Sequence, residues 1–432
     1  MRKIKDSLNP PDRLSSFFSV FSVANPLGRN VGWLLAARVG QQAILLLFTA
    51  LVARQLGAVG LGQMAWVTAV LYLGNVISTW GLDTILQRDI GAARQTRAAP
   101  LAAALLLELL LAGGFILLLF LLPFGDQSPV AVAGLRLYGW SLLPLALLTL
   151  TSAALRGFEQ MGWLAGLTLG TAVLQVAGTA VLFALGGGFV GLMGWLLAVQ
   201  VVSAGAGWWL CRWVLPDFGL NWQTVRWSAI WQLLQTGFWL ALLLGTAVLL
   251  QRLGVLLMSL LGSDWETGQL AAALRLVEAA RLLPAAVMGA LFPVLARGGL
   301  ASGRLQVAGR EEFSYQLGLL GYGVLAAVGL WLLAVPLVGL LFGGGYETAV
   351  SLLKILAWGV VPFTISLPLS VEMVVAGREK RVLLATLAVL VGTAVLTTVG
   401  FVQYGLLGLA VGLVVGEWLL AVALFAAVQN RF

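Results

Sequence analysis

The feature that most constrains this chain is the recurrence of apolar runs about 20 residues long, the length a helix needs to cross a bilayer's hydrocarbon core. The first two runs set the pattern. Val31 to Ala53 is apolar apart from one charge, Arg38. A tight, glycine-spaced turn follows, Arg54-Gln55-Leu56-Gly57-Ala58-Val59-Gly60-Leu61-Gly62, and then a second run from Gln63 to Leu82. The basic stretch Arg88-Asp89-Ile90-Gly91-Ala92-Ala93-Arg94 closes the unit. Such runs recur near 31–53, 63–82, 100–122, 132–154, 161–184, 188–210, 233–261, 268–295, 317–341, 348–375, 382–403 and 406–428. Charged residues make up 10% of the 432 positions, against about 25% in soluble chains. The expectation is an all-α polytopic membrane protein of about twelve transmembrane helices.

Several chemistries are excluded early. The chain has one cysteine, Cys211, and no histidine. No internal disulfide, Cys/His metal site or histidine base is available, and Cys211 beside Arg212 reads as an interfacial thiol. The net charge of +8 does not point to nucleic acid, because the cations gather in alternate loops. One set holds Arg88, Arg94 and Arg97; Arg156; Arg212 and Arg226; Arg297, Arg304 and Arg310; Arg378, Lys380 and Arg381; and Arg431. The other loops are short and cation-poor, with Asp126, Asp264, Glu266 and Glu347. The positive-inside bias places the first set and both termini in the cytoplasm. Residues 1–30, with the patch Phe17 to Val23, read as a cytoplasmic tail rather than a cleaved signal.

Internal similarity suggests two halves. Leu56-Gly57 followed by Gly62-Gln63 is echoed by Leu261-Gly262 followed by Gly268-Gln269. Gly157, Glu159 and Gly170-Thr171-Ala172-Val173-Leu174 are echoed by Gly377, Glu379 and Gly392-Thr393-Ala394-Val395-Leu396. The expected organisation is a six-helix lobe at 31–210, an interfacial linker at 211–232, which has the composition of an amphipathic helix, and a second six-helix lobe at 233–432. Prolines 144, 284, 293, 336, 362 and 368 mark candidate bends. Gly113-Gly114, Gly166 and Gly170 read as packing glycines. Trp33, Trp80, Trp140, Trp163 and Trp265 read as interfacial anchors.

Ionisable groups in hydrocarbon cost at least a few kcal/mol and invite functional readings. Arg38 lies eight residues past Asn30, about 12 Å along a helix, which places it near mid-membrane. Arg252 lies ten residues before Gly262, about 15 Å from that end. Arg275, Glu278 and Arg281 share a broad helical face. Glu108, Lys354, Glu372 and Glu417 are the other deep charges. Two readings stay open for these groups: Arg275–Glu278–Arg281 and Lys354–Glu417 as ion pairs that fasten helices, or as working groups. The helices opening the two halves carry Arg38, Arg252, Arg275 and Arg281 against Glu278 alone. That surplus suits an anionic substrate, and arginine forks suit phosphate.

The motifs Asn30 with an arginine-centred span, Ala53-Arg54-Gln55-Leu56-Gly57, Gly60-Leu61-Gly62, Trp80-Gly81-Leu82 with Arg88, and Gly157 with Glu159 resemble those of bacterial polysaccharide (O-antigen type) flippases. These belong to the multidrug/oligosaccharidyl-lipid/polysaccharide exporter superfamily. One departure is Ala58-Val59, where the family's turn usually has Pro or Glu after its first glycine. The resemblance implies two lobes around a central cavity in the bacterial inner membrane. It also implies flipping of undecaprenyl-diphosphate-linked oligosaccharide to the outer leaflet by alternating access, with Arg38, Arg252, Arg275 and Arg281 on the diphosphate. Membrane lipids and other polysaccharide-assembly proteins are the implied partners. No cofactor is implied, and no P-loop is present. Glu278, Glu108 or Glu417 are candidates for coupling to protons or sodium, with Lys354 as a candidate ion-pair partner. A drug/cation antiporter and a membrane-embedded glycosyltransferase or polymerase are the competing readings. The first would want acidic groups in the first lobe, and the second a sizeable acidic outer loop.

Overall fold

The first hairpin is a single helix with one broken joint. In the computed structural model, which describes residues 26–93, 100–125, 127–215, 218–302 and 310–429, Pro26–Thr79 is continuous except at Gly57, whose φ of 68° is left-handed. Only a residue without Cβ takes that conformation cheaply, so the chain reverses there. The arms are α1 (26–56) and α2 (58–79, continued by Leu82–Ala93 past the Trp80-Gly81 break). The second such joint is Gly405, φ 63°, which divides Glu379–Gln429 into α11 (379–404) and α12 (406–429).

Between them run α3 (Leu101–Leu121), α4 (Pro129–Gly139 with Leu142–Gly157), α5 (Met161–Ala184), α6 (Phe189–Val214), α7 (Trp227–Leu261), α8 (Asp264–Ser302), α9 (Arg310–Leu332 with Ala334–Phe342) and α10 (Glu347–Leu356 with Val360–Val375). Among the described residues there is no strand, and the helical segments number twelve, in the order expected. The N-terminal tail with its apolar patch, and Arg94, Arg97, Asp126, Arg304 and Arg431, lie outside the described residues, as do the side chains of Trp33, Pro293, Arg297 and Arg310.

Three breaks have one cause. α4 bends by 43° before Pro144 and α9 by 68° before Pro336, and α10 passes through a single 3-10 turn, Ala357–Gly359, before Pro362. Each break lies three to five residues ahead of its proline, where the ring clashes with a carbonyl and removes its hydrogen-bond donor. In α8 the carbonyl freed by Pro284 belongs to Ala280. Tyr322 of α9 donates its hydroxyl to that oxygen at 2.7 Å, and α8 runs on unbroken.

The close helix contacts are not at the glycines singled out from the sequence. Gly113, Gly114, Gly166 and Gly170 have nothing within 4 Å of where a Cβ would sit. One tight seam is between α11 and α12: a Cβ on Gly408 would meet the Gly400 carbonyl, one on Gly412 the Thr397 backbone, and one on Gly416 the Thr393 side chain. That four-residue spacing lets two membrane helices touch backbone to backbone.

Other expectations shift with packing. The ends of the expected linker, Cys211–Val214 and Trp227–Gln232, continue α6 and α7, and among the described residues between them there is one 3-10 turn, Trp222–Thr224, flanked by extended Asn221 and Val225, rather than an amphipathic helix. Phe218 is buried and packs edge-on against Trp208 while Trp222 stays exposed. Cys211 is fully buried, its thiol 3.5 Å from the Thr151 carbonyl, so it is not an interfacial group. Trp80 donates to the Leu234 carbonyl of α7 at 2.9 Å, joining the halves rather than anchoring in lipid. Trp140, Trp163 and Trp265 are exposed.

Candidate functional site

Two places where the halves meet carry polar chemistry. The first is at the cation-poor end, where α2 crosses α8. A Cβ on Gly62 would lie 1.8 Å from the Asp264 carbonyl oxygen, and one on Gly268 would lie 1.8 Å from the Ala58 carbonyl oxygen. Residues 58 and 62 correspond to 264 and 268 at one constant offset, so the contact is self-complementary, as across a two-fold axis. The short Gly-Gln repeat seen in the sequence sits at this crossing. Gln63 donates to Asp264 at 2.9 Å, and Gln127 donates to the Ser259 carbonyl at 2.6 Å. Tyr346 donates to the Ala53 carbonyl at 3.2 Å. Arg54 reaches the last carbonyls of the helix Ala334–Phe342, with Nε 3.0 Å from Leu341 O and Nη2 on Leu340 O, where a cation also complements the helix dipole. These bonds all join the first half to the second.

The second place lies deeper. Arg275 is eleven residues into α8 and Arg252 nine residues before the end of α7, each about 14–17 Å from that closed end. Glu278 bridges them: Oε1 accepts from Arg252 Nη1 at 2.8 Å and Oε2 from Arg275 Nη1 at 2.9 Å. Both arginines also touch the first half. Arg275 Nε donates to the Thr49 hydroxyl at 3.0 Å, whose own hydrogen goes to the Leu45 carbonyl at 2.8 Å. The Arg252 guanidinium lies 4.4 Å from the centroid of the Tyr72 ring, within cation–π range. All three charged side chains keep about a fifth to a third of their surface open, 21% for Arg252, 22% for Arg275 and 32% for Glu278. Two guanidiniums against one carboxylate leave a local surplus of positive charge at the seam.

The remaining candidates separate. Arg281 turns into the second half, pairing with Glu417 of α12 at 2.8 Å and donating to Gly359 O at 3.2 Å. It borders a cavity of ≈50 Å³ with Gln251, Gly254 and Thr393. Lys354 does not meet Glu417; its ammonium lies 5.7 Å from the Trp331 ring centroid. Glu108 is fully buried in the first half, and neither carboxylate oxygen has a partner among the described residues. Arg38 is exposed, with Nη1 3.2 Å from where a Cβ on Gly289 would sit. It lies nineteen residues before the Gly57 joint, about 28 Å along α1, and twelve residues past the helix start at Pro26.

Sequence reasoning missed Thr49, Tyr72, Gln127, Tyr322 and Tyr346, and placed Arg54 in a motif without its role. Each acquires its role only from a partner far along the chain.

The family model described as polysaccharide biosynthesis protein matches residues 27–298, which run from α1 through α8 and hold the Gly62–Gly268 crossing and the Arg252–Glu278–Arg275 cluster. The chain belongs to that family. The chain has no significant sequence match among curated proteins. Several solved structures share the fold of this polysaccharide biosynthesis family member. A multidrug resistance MATE transporter of the MOP superfamily, in an inward-facing conformation, is 18% identical, with a TM-score of 0.76 over 90% of this chain and 94% of that one. The lipid II flippase MurJ, inward closed, is 14% identical, with a TM-score of 0.73 over 92% and 87%. A MOP-superfamily transporter from Pyrococcus furiosus, described by a binding pocket of reverse polarity, is 17% identical, with a TM-score of 0.67 over 93% and 95%. The protein therefore has the fold of the MOP-superfamily transporters. A fold that serves both a drug transporter and a lipid flippase does not choose the cargo, and the site has to.

Proposed function

We propose that this protein flips a lipid-linked oligosaccharide, built on undecaprenyl diphosphate, from the cytoplasmic to the outer leaflet of the bacterial inner membrane by alternating access. The observation that carries this reading is the Arg252–Glu278–Arg275 cluster. Two guanidinium forks from the second half sit at mid-depth on the seam with the first half, and together they exceed the one carboxylate between them. A diphosphate is the head group whose paired oxygens and multiple charge match two such forks. Arg38, lower on α1, stands where a phosphate would enter from the cytoplasmic leaflet, and the lipid tail stays in the bilayer. The cation-rich loops and both termini face the cytoplasm on this reading, and the Gly62–Gly268 crossing closes the outer end.

The antiporter alternative wants an acidic cleft, which the cluster opposes. The enzyme alternative wants a sizeable acidic loop at the cation-poor end, where the connections are short. The test is surface polysaccharide in the native host. Arg252→Ala and Arg38→Ala are expected to lower it at least about tenfold with the protein still in the membrane, corresponding to about 1.4 kcal/mol or more of lost interaction. Lysine at either position restores only part, because it lacks the fork. Normal export by both alanine variants removes these arginines from the mechanism.

A further inference from the structure

Resting on the transport reading above, we propose that Glu278 is a built-in stand-in for the cargo's anionic head, and that it sets the charge a lipid must carry to be admitted. The carboxylate presents one oxygen to each of two arginines from different helices, at 2.8 and 2.9 Å. Each guanidinium has a second anchor on the opposite half that does not depend on Glu278. Arg275 holds Thr49, whose hydroxyl hydrogen is committed to Leu45 O and so can only accept from the arginine. Arg252 lies against Tyr72. Taking the carboxylate from between them leaves two forks already aimed at a common point.

The competition is one of charge. Glu278 offers a single negative charge to two positive groups, and being tethered to α8 it is always present at high effective concentration. A monoanionic phosphodiester, the head group of bulk anionic phospholipid, would exchange one such charge for another and gain nothing against a tethered rival. A diphosphate brings at least two negative charges on adjacent phosphoryl groups and balances both guanidiniums. Displacement does not leave Glu278 without a donor. Arg281 lies one turn along the same face of α8, and its Nε–H has no partner among the described residues. Glu278 is thus a specificity-determining residue that works by exclusion of the lipids surrounding the protein.

The test uses the full chain purified in detergent, with undecaprenyl diphosphate and phosphatidylglycerol competing for it in native mass spectrometry. The wild type should favour the diphosphate by at least about tenfold. Glu278→Gln, which keeps shape and removes charge, should raise phosphatidylglycerol binding about tenfold, as expected when a competing state that holds about nine-tenths of the molecules is removed, and so admit a lipid that the wild type leaves unbound. Unchanged phosphatidylglycerol binding in Glu278→Gln, with diphosphate binding lost in the Arg252→Ala/Arg275→Ala double variant, overturns the filter and leaves the diphosphate site standing. Undiminished diphosphate binding in the double variant overturns the site itself, and the filter with it. Should Glu278→Gln not fold, the wild type decides: with lipid diphosphate bound, electron cryomicroscopy should show Glu278 out of hydrogen-bond reach of both arginines. Both bonds intact beside a bound diphosphate overturns the proposal.

Discussion

A valine at position 268 should force the cation-poor end apart. In the present packing the first carbon of any side chain there would lie 1.8 Å from the Ala58 carbonyl oxygen. Ordinary van der Waals contact needs roughly 1.5 Å more, and because the obstruction is backbone, α2 and α8 must separate as bodies. Gln63 and Asp264, now 2.9 Å apart, would pass beyond hydrogen-bond range. Overpacking of this kind costs about 1–3 kcal/mol and the lost hydrogen bond about 1 kcal/mol more. A total of about 2–4 kcal/mol shifts the equilibrium away from this closed contact by a factor of roughly 30 to 1000. The assay is disulfide cross-linking between Gln127→Cys and Ser259→Cys, whose wild-type residues hydrogen-bond across the halves at 2.6 Å, in a background with Cys211→Ala. The parent should cross-link and Gly268→Val should not, with polysaccharide export falling in parallel. Gly62→Val should behave alike, because its Cβ would meet Asp264 O at the same 1.8 Å. Full cross-linking and export in both valine variants would refute the idea that this crossing must be tight for the end to close.

Further outcomes follow from the packing. Tyr322→Phe leaves the Ala280 carbonyl without the hydroxyl that now donates to it at 2.7 Å, and should lower stability by about 1 kcal/mol, read as a fall in Tm of the detergent-purified protein. Pro284→Ala in the same chain should recover most of that loss, since the helix then supplies its own donor. Gly412→Leu, in the α11–α12 seam, should sharply reduce the yield of folded protein, whereas Gly113→Leu, with nothing within 4 Å, should not. Comparable yields would show that the seam is not a close-packed interface.

How much was legible beforehand depends on whether a feature is local. Span order followed from run length alone, and the Gly57 and Gly405 reversals fall where the sequence places short turns between spans. Proline positions announced the bends in α4, α9 and α10 because the clash acts within one turn, but not which prolines bend a helix, since Pro284 and Pro368 lie inside continuous ones. The Gly62-Gln63 and Gly268-Gln269 echo pointed at a true equivalence, since its residues form the self-complementary crossing. The second echo is displaced. Glu159 and Gly377 share the left-handed turn position, which puts Gly170 opposite residue 388 rather than Gly392, one helical turn away. Pairings were not legible. Glu417 takes Arg281 and not Lys354 because it and Arg281 both border that cavity, a relation no spacing encodes. Nor did any pattern separate packing glycines from lipid-facing ones, which differ only in what stands opposite.

One helix links the crossing to the charge cluster. α8 carries Gly268 at the closed end, Arg275 and Glu278 seven and ten residues deeper, and Gly289 beside Arg38 toward the other edge. An interior proline would ordinarily make such a helix a poor lever, but Tyr322 satisfies the carbonyl that Pro284 exposes and α8 stays continuous. A rigid rod cannot tighten against α1 and α2 at one level and loosen at another without tilting. On the transport reading, neutralising the guanidinium pair and opening the Gly62–Gly268 contact are then two biases on one element. A cargo that binds both forks more strongly in one tilt than in the other shifts the population by that difference in affinity, and by no more.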